Sequence, residues 1–109
     1  MAFALAALNA LSQQSRLETF RVLVEAGRNG MAAGMIAKRL DIAPSSLSFH
    51  LTTLKHAGLV RERREARSKI YTADFAAMSR LIAFLMTNCC AADCVDPQLI
   101  DAFSQGEPS

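Results

Sequence analysis

Apolar residues recur along most of this chain at the three-and-four spacing of a helix, and the pattern breaks at one place only. Leu5, Leu8 and Leu11 predict a short first helix over residues 3–11. Leu17, Phe20, Val22, Leu23 and Val24 predict a second from Gln14 to Ala26, stopped by Gly27-Arg28-Asn29-Gly30, which holds residues tolerant of left-handed backbone. Ile36 and Leu40 face inward on a third helix, Ala32 to Leu40. Asp41-Ile42-Ala43-Pro44 is a tight connection, and Pro44 suits a first helical turn because its missing N–H would be unpaired there. The fourth helix runs from Pro44 to Ala57 and stops at Gly58. Leu47, Leu51 and Leu54 lie on one of its faces; Ser45, Ser46, Phe49, Thr52, Thr53 and His56 lie on the other, with His50 at the flank. At Leu59 the helical period ends. Leu59–Arg64 and Lys69–Thr72 read as two short strands around Glu65-Ala66-Arg67-Ser68. Asp74 then caps a fifth helix reaching about Asn88. Its residues Phe75, Met78, Ile82 and Leu85 follow the 3-4-3 spacing of a helix seam, and Leu81, Phe84 and Met86 make a second side apolar. One side serves the body of the domain and the other a partner subunit. There is no internal repeat.

A short helix, a tight turn and a helix with a small polar outer face make a helix-turn-helix. A basic two-stranded ribbon directly after it makes the winged variant. The expected fold class is mainly α (α+β), with about five helices and a two-stranded β wing. The physics suits duplex DNA. Ser45, Ser46, Ser48, Phe49, His50 and Thr53 stand where a recognition helix meets base edges in the major groove. Arg63, Arg64, Arg67 and Lys69 concentrate positive charge on the ribbon for phosphate.

Charge sharpens this reading. Residues 1–72 hold eleven Lys/Arg against five Asp/Glu, net +6, while residues 73–109 hold Arg80 against five acids, net −4. A polyanion-facing surface therefore belongs to the first part. With 109 residues, 51% of them hydrophobic, the chain has material for one domain with a real core. The division expected is a DNA-binding and dimerisation domain over 1–94, carrying an effector site at its end, and a tail over 95–109. The N-terminus lacks the basic region of a secretory signal, and Asn9 and Ser12-Gln13-Gln14 interrupt its apolar run, so the expected setting is the cytoplasm, away from membrane.

Cys89, Cys90 and Cys94 are the chain's only cysteines and fall within six residues. Their odd number in so small a chain argues against a disulfide framework. Three thiolates from one segment suit a soft ion taking three sulfur ligands; structural zinc prefers four ligands. The other readings are small core hydrophobes, a redox switch in which Cys94 closes on Cys89 or Cys90, and a zinc, cadmium or lead site completed by Asp93 or Asp96. An enzyme is not expected: Ser46 and His50 are spaced like a nucleophile and base, but no orienting acid, oxyanion element or glycine-rich phosphate loop accompanies them.

The run Ser46-Leu47-Ser48-Phe49-His50-Leu51, then Leu54 and Ala57-Gly58-Leu59-Val60, resembles the recognition-helix signature of the ArsR/SmtB family. Leu11-Ser12-Gln13-Gln14-Ser15-Arg16-Leu17 resembles the start of that family's second helix, and Arg63-Arg64-Glu65-Ala66-Arg67 followed by Tyr71 resembles its wing. The likeness spans roughly residues 5–88. It implies a repressor, homodimeric through its N- and C-terminal helices, that leaves double-stranded operator DNA when a metal or metalloid binds, with no cofactor required. Three departures matter. Ala66 stands where the family's wing has glycine, so a different turn shape is expected. The third helix, Ala32-Ala33-Gly34-Met35-Ile36-Ala37-Lys38, lacks the cysteines of many arsenic-responsive relatives. The fifth lacks the histidine ligands of the zinc sensors. The cluster at Cys89, Cys90 and Cys94 resembles the subgroup with arsenic-binding cysteines near the C-terminus. That implies trivalent arsenic as inducer, with antimonite or a methylated arsenical sharing the chemistry.

Overall fold

The computed structural model describes residues 1–87. The elements in order are α1 (Ala2–Leu11), α2 (Gln14–Ala26), a 3-10 turn (Gly27–Asn29), β1 (Met31–Ala32), α3 (Ala33–Leu40), α4 (Pro44–His56), β2 (Val60–Glu65), β3 (Ser68–Ala73) and α5 (Phe75–Leu85). The five helices and the ribbon anticipated from the apolar period are all present. The last helix ends at Leu85, three residues before the expected Asn88. One element has no counterpart in the sequence reading. Met31 and Ala32 pair antiparallel with Tyr71 and Ile70, so the ribbon is part of a three-stranded sheet in the order β1-β3-β2. Two residues are too few to show a period.

The helix-turn-helix is built on leucine. Leu47, Leu51 and Leu54 of α4 pack with Leu23 of α2, Ile36 of α3 and Leu59 into a fully buried centre. Burying a leucine contributes about 1.5–3 kcal/mol, so three on one stripe fix which way α4 faces. Its serines are turned outward as a consequence. Asp41 ends α3 in the left-handed region (φ 56°), which Asp adopts at lower cost than most residues, and the chain turns there towards α4.

The two terminal helices each leave part of an apolar face outside the core. On α1 the alanines Ala4, Ala7 and Ala10 are buried, while Leu5 and Leu8 remain 61% and 41% exposed. Small residues let the helix lie close to its neighbours and leave the leucines outside. On α5, Leu81 is buried and Phe75 and Met78 pack against the core, while Phe84 and Leu85 stay 40% and 56% exposed. The expected seam is thus divided: its N-terminal half lies on the body and Leu85 faces out. The Arg80 guanidinium sits 4.3 Å from the centre of the Phe3 ring, linking α5 to α1. Among the described residues no helix is long and apolar enough to cross a membrane.

The wing turn keeps its shape at a cost. Ala66 adopts a positive φ of 54°, the region glycine favours, rather than reshaping the turn to avoid it. The expected result for Ala66→Gly is a gain of about 0.5–1 kcal/mol in unfolding free energy, since relief of a ~1–2 kcal/mol left-handed strain is partly offset by glycine's extra chain entropy. Chemical denaturation measures it.

Candidate nucleic-acid interface

The outer face of α4 starts at an uncapped end. Ala43 precedes the helix and offers no side-chain acceptor, and Pro44 takes the first position. The N–H groups of Ser45 and Ser46 bond to no described group, so this end presents open donors beside two serine hydroxyls, the chemistry a phosphate meets at a helix N-terminus. Ser45, Ser46, Ser48 and Phe49 are exposed, as the sequence pattern predicts. Phe49 is an apolar plate on an otherwise polar face, suited to a thymine methyl. Thr53 is half-buried, and its hydroxyl donates to the Phe49 carbonyl at 3.1 Å, which leaves it an acceptor towards solvent.

His50 sits differently from its serine neighbours. It is half-buried, its ring meets Phe49 edge-on at 5.9 Å, and its Nδ1 is buried with no hydrogen-bond partner among the described residues. Burial, with the nearby Arg16 cation adding, holds its pKa below the usual 6.5. Arg16 is itself anchored: its Nε donates to the Ala10 carbonyl at 2.7 Å. A histidine kept neutral by the fold is protonated more readily once unfolded. The stability it contributes is therefore full above pH 6.5 and is lost as pH falls through the lower folded-state value. His50→Gln is expected to flatten that part of the acid dependence, read as denaturation midpoints between about pH 7.5 and about pH 5.

The ribbon separates its cations by face. Cross-strand partners share a side, and Val60 and Ala73 are buried, so Glu62, Tyr71, Arg64 and Lys69 belong to the side turned to the body and α4. Arg61, Arg63, Ile70 and Thr72 belong to the other side. Lys55 of α4 reaches Glu62 at 3.0 Å and pins the ribbon to the recognition helix. The Lys55 hydrogen bond keeps the Glu62 carboxyl below its usual pKa despite opposing partial desolvation, with Lys69 adding. Beyond Glu62, Arg64 and Lys69 stand directly opposite each other. Like charges in that relation destabilise a sheet. Lys69 has Glu62 at 3.7 Å, whereas Arg64 has no acid partner among the described residues. Arg67, in the turn, is exposed and likewise in no described ion pair. A phosphate between such cations removes the repulsion.

Of the four wing cations expected to meet DNA, Arg63 stands apart. Its Nε lies 3.0 Å from Glu65 and its guanidinium donates to the Asn29 carbonyl at 2.9 Å, on the side away from α4. Period-two alternation along 60–65 carries that signal, since it sends Arg61 and Arg63 one way and Arg64 the other. Lys55 and Arg16 were not singled out by the sequence as part of the surface; only the fold shows what they hold. Among the described residues no group of three or more His, Cys, Asp or Glu is placed to hold a metal ion. Cys89, Cys90 and Cys94 lie outside the described residues.

Comparison with known proteins places this geometry. Residues 4–63 match a family of helix-turn-helix domains. The transcriptional activator HlyU of Vibrio cholerae is 32% identical over 86 residues, covering 79% of this chain and 77% of that protein. An ArsR-like transcriptional regulator from Rhodococcus superposes with a TM-score of 0.73 at 26% identity, over 99% of this chain and 95% of that one. The transcriptional repressor BigR from Xylella fastidiosa superposes with a TM-score of 0.60 at 30% identity, over 78% and 81%.

Proposed function

The chain belongs to the ArsR-like family of winged helix-turn-helix transcriptional regulators and is not an enzyme, and from that premise we propose that it is a dimeric repressor released from its operator by trivalent arsenic. The observation that carries DNA binding is the joint presentation of α4's exposed serines and the facing cations Arg64 and Lys69, of which Arg64 has no acid partner among the described residues, on a ribbon that the Lys55–Glu62 pair holds against α4. Its sign is proposed as repression. Relatives of similar identity include an activator and a repressor, and a compact domain of this kind silences a promoter by occupying it.

The dimer reading rests on the exposed apolar residues of the terminal helices, Leu5 and Leu8 on α1 and Phe84 and Leu85 on α5. Two copies joined there present two recognition helices, whose spacing must match half-sites about one DNA turn apart. The arsenic reading rests on Cys89, Cys90 and Cys94 being the only thiols of the chain, the first of them four positions after Leu85, the last residue of α5, in the sequence. Trivalent arsenic takes three thiolates in a pyramid and needs no fourth ligand, and antimonite shares that chemistry. Binding just beyond a dimer helix alters the spacing of the two readers. A ~100-fold loss of DNA affinity needs only ~2.7 kcal/mol of coupling.

The expected result is that arsenite lowers affinity for the chain's own promoter DNA by about 100-fold, and that Cys89→Ser, Cys90→Ser or Cys94→Ser each blunt the response without weakening DNA binding in its absence. Mobility-shift titrations with arsenite, antimonite, a methylated trivalent arsenical, zinc, cadmium and peroxide separate the inducers. Release by peroxide alone would transfer the cluster to redox sensing. Release by arsenite that survives all three substitutions would end the arsenic reading.

A further inference from the structure

The side of the ribbon away from α4 carries its own concavity. Arg28 of the 3-10 turn, Arg61 of β2, Thr72 of β3 and the first residues around α5 line an open cavity of about 340 Å³. Its polar wall is Arg28, Arg61 and Thr72, and its apolar wall is Ala73, Phe75 and Ala76. Neither Arg28 nor Arg61 takes part in an ion pair or side-chain hydrogen bond among the described residues, in contrast to Arg63 on the same side, which Glu65 and Asn29 occupy. Asp74 is the one acid in the lining, and its Oδ1 already accepts the Ala77 N–H at 2.9 Å.

We propose that this cavity is an oxyanion site taking the phosphate group of a small phosphorylated molecule. Guanidiniums match a phosphate's paired oxygens with parallel donors, and the Thr72 hydroxyl adds a third, neutral donor. The cavity lies at the small end of the range that holds small-molecule ligands. Its apolar wall gives the carbon part of an ester a surface to lie on. Because Thr72 and Arg61 lie opposite each other in the sheet, their contacts are fixed relative to one another, and Arg28 closes the site from a separate turn. The site lies on the opposite side of the ribbon from the Arg64–Lys69 pair, so it is distinct from the surface assigned to operator DNA. An occupant joins the base of the wing to the first turn of α5.

Inorganic phosphate is the probe, with chloride at matched ionic strength as reference, on the full chain. Phosphate at about ten times its Kd is expected to raise Tm by about 5 °C over the chloride control and to broaden the phosphorus resonance. Arg28→Gln and Arg61→Gln each remove both effects, and Thr72→Val, which keeps the side-chain shape, weakens them several-fold. The variant with Arg64→Gln and Lys69→Gln keeps them. Loss of the response in that last variant would assign the phosphate to the DNA face and overturn the proposal. So would a response that persists without Arg28 and Arg61, or no response in the wild type.

Discussion

Replacing Arg64 and Lys69 together by glutamine lowers the affinity for operator DNA by roughly 60-fold per half-site near 0.1 M salt, and by a similar factor for unrelated DNA. The magnitude follows from counterion release. Each phosphate neutralised contributes a slope of about −0.9 in log K against log salt, so each contact is worth about 0.9 decade between 1 M and 0.1 M salt, and two contacts about 1.8 decades. The two side chains oppose each other across β2 and β3, and neither is needed for the core. Relief of their mutual repulsion is offset by loss of the exposed Lys69–Glu62 pair, so the folded protein changes little in stability. That distinguishes the reading from a structural one: affinity falls while Tm holds. Lys55→Gln differs, because Lys55 holds Glu62 at 3.0 Å and so positions the ribbon against α4. It is expected to weaken binding less and to leave the salt slope nearly unchanged. Fluorescence anisotropy over a salt series, beside thermal melts, reads both quantities. A double variant with unaltered slope would remove these cations from the interface.

The reading helix was legible because one stripe decides it. Once Leu47, Leu51 and Leu54 are assigned to the core, geometry leaves the serines nowhere but outside. The ribbon was half legible. Its existence and charge were plain, but the destination of each arginine depends on register, and register is set by the Val60–Ala73 pairing and the two-residue turn at Ala66 and Arg67. The α1 leucines predicted the helix but not what covers each of them. Periodicity marks an apolar face without saying whether the core or a partner covers it, and here the core takes the alanines. Strand β1 was illegible. It exists because Gly30 lets the chain turn against β3, and two residues carry no pattern of their own.

That dependence on Gly30 gives the largest stability effect expected of a single methyl group in this chain. Gly30 sits at φ 75° and ψ −166°, a region open essentially to glycine alone. A Cβ there would stand 2.5 Å from the Tyr71 carbonyl oxygen and 2.6 Å from Thr72 Cγ2. The carbonyl belongs to the backbone of β3 and cannot step aside without breaking the sheet. Gly30→Ala therefore combines about 1–3 kcal/mol of backbone strain with about 1–3 kcal/mol of overpacking, enough to lower Tm by at least ~10 °C in a domain of this size. Two neighbours separate the terms. Gly27 has similar angles, φ 72° and ψ −157°, but open space around its missing Cβ, so Gly27→Ala carries the strain alone. Gly34 lies in α3 with ordinary φ and nothing within 4 Å, so Gly34→Ala gains up to about 1 kcal/mol from helix propensity. The expected order of melting temperatures is Gly34→Ala above wild type, then Gly27→Ala, then Gly30→Ala. If Gly30→Ala melted level with Gly27→Ala, the close packing of this turn on β3 would be wrong. The position of Arg28 and Arg61 around their shared cavity would fall with it, because the same turn carries Arg28 to the base of the wing.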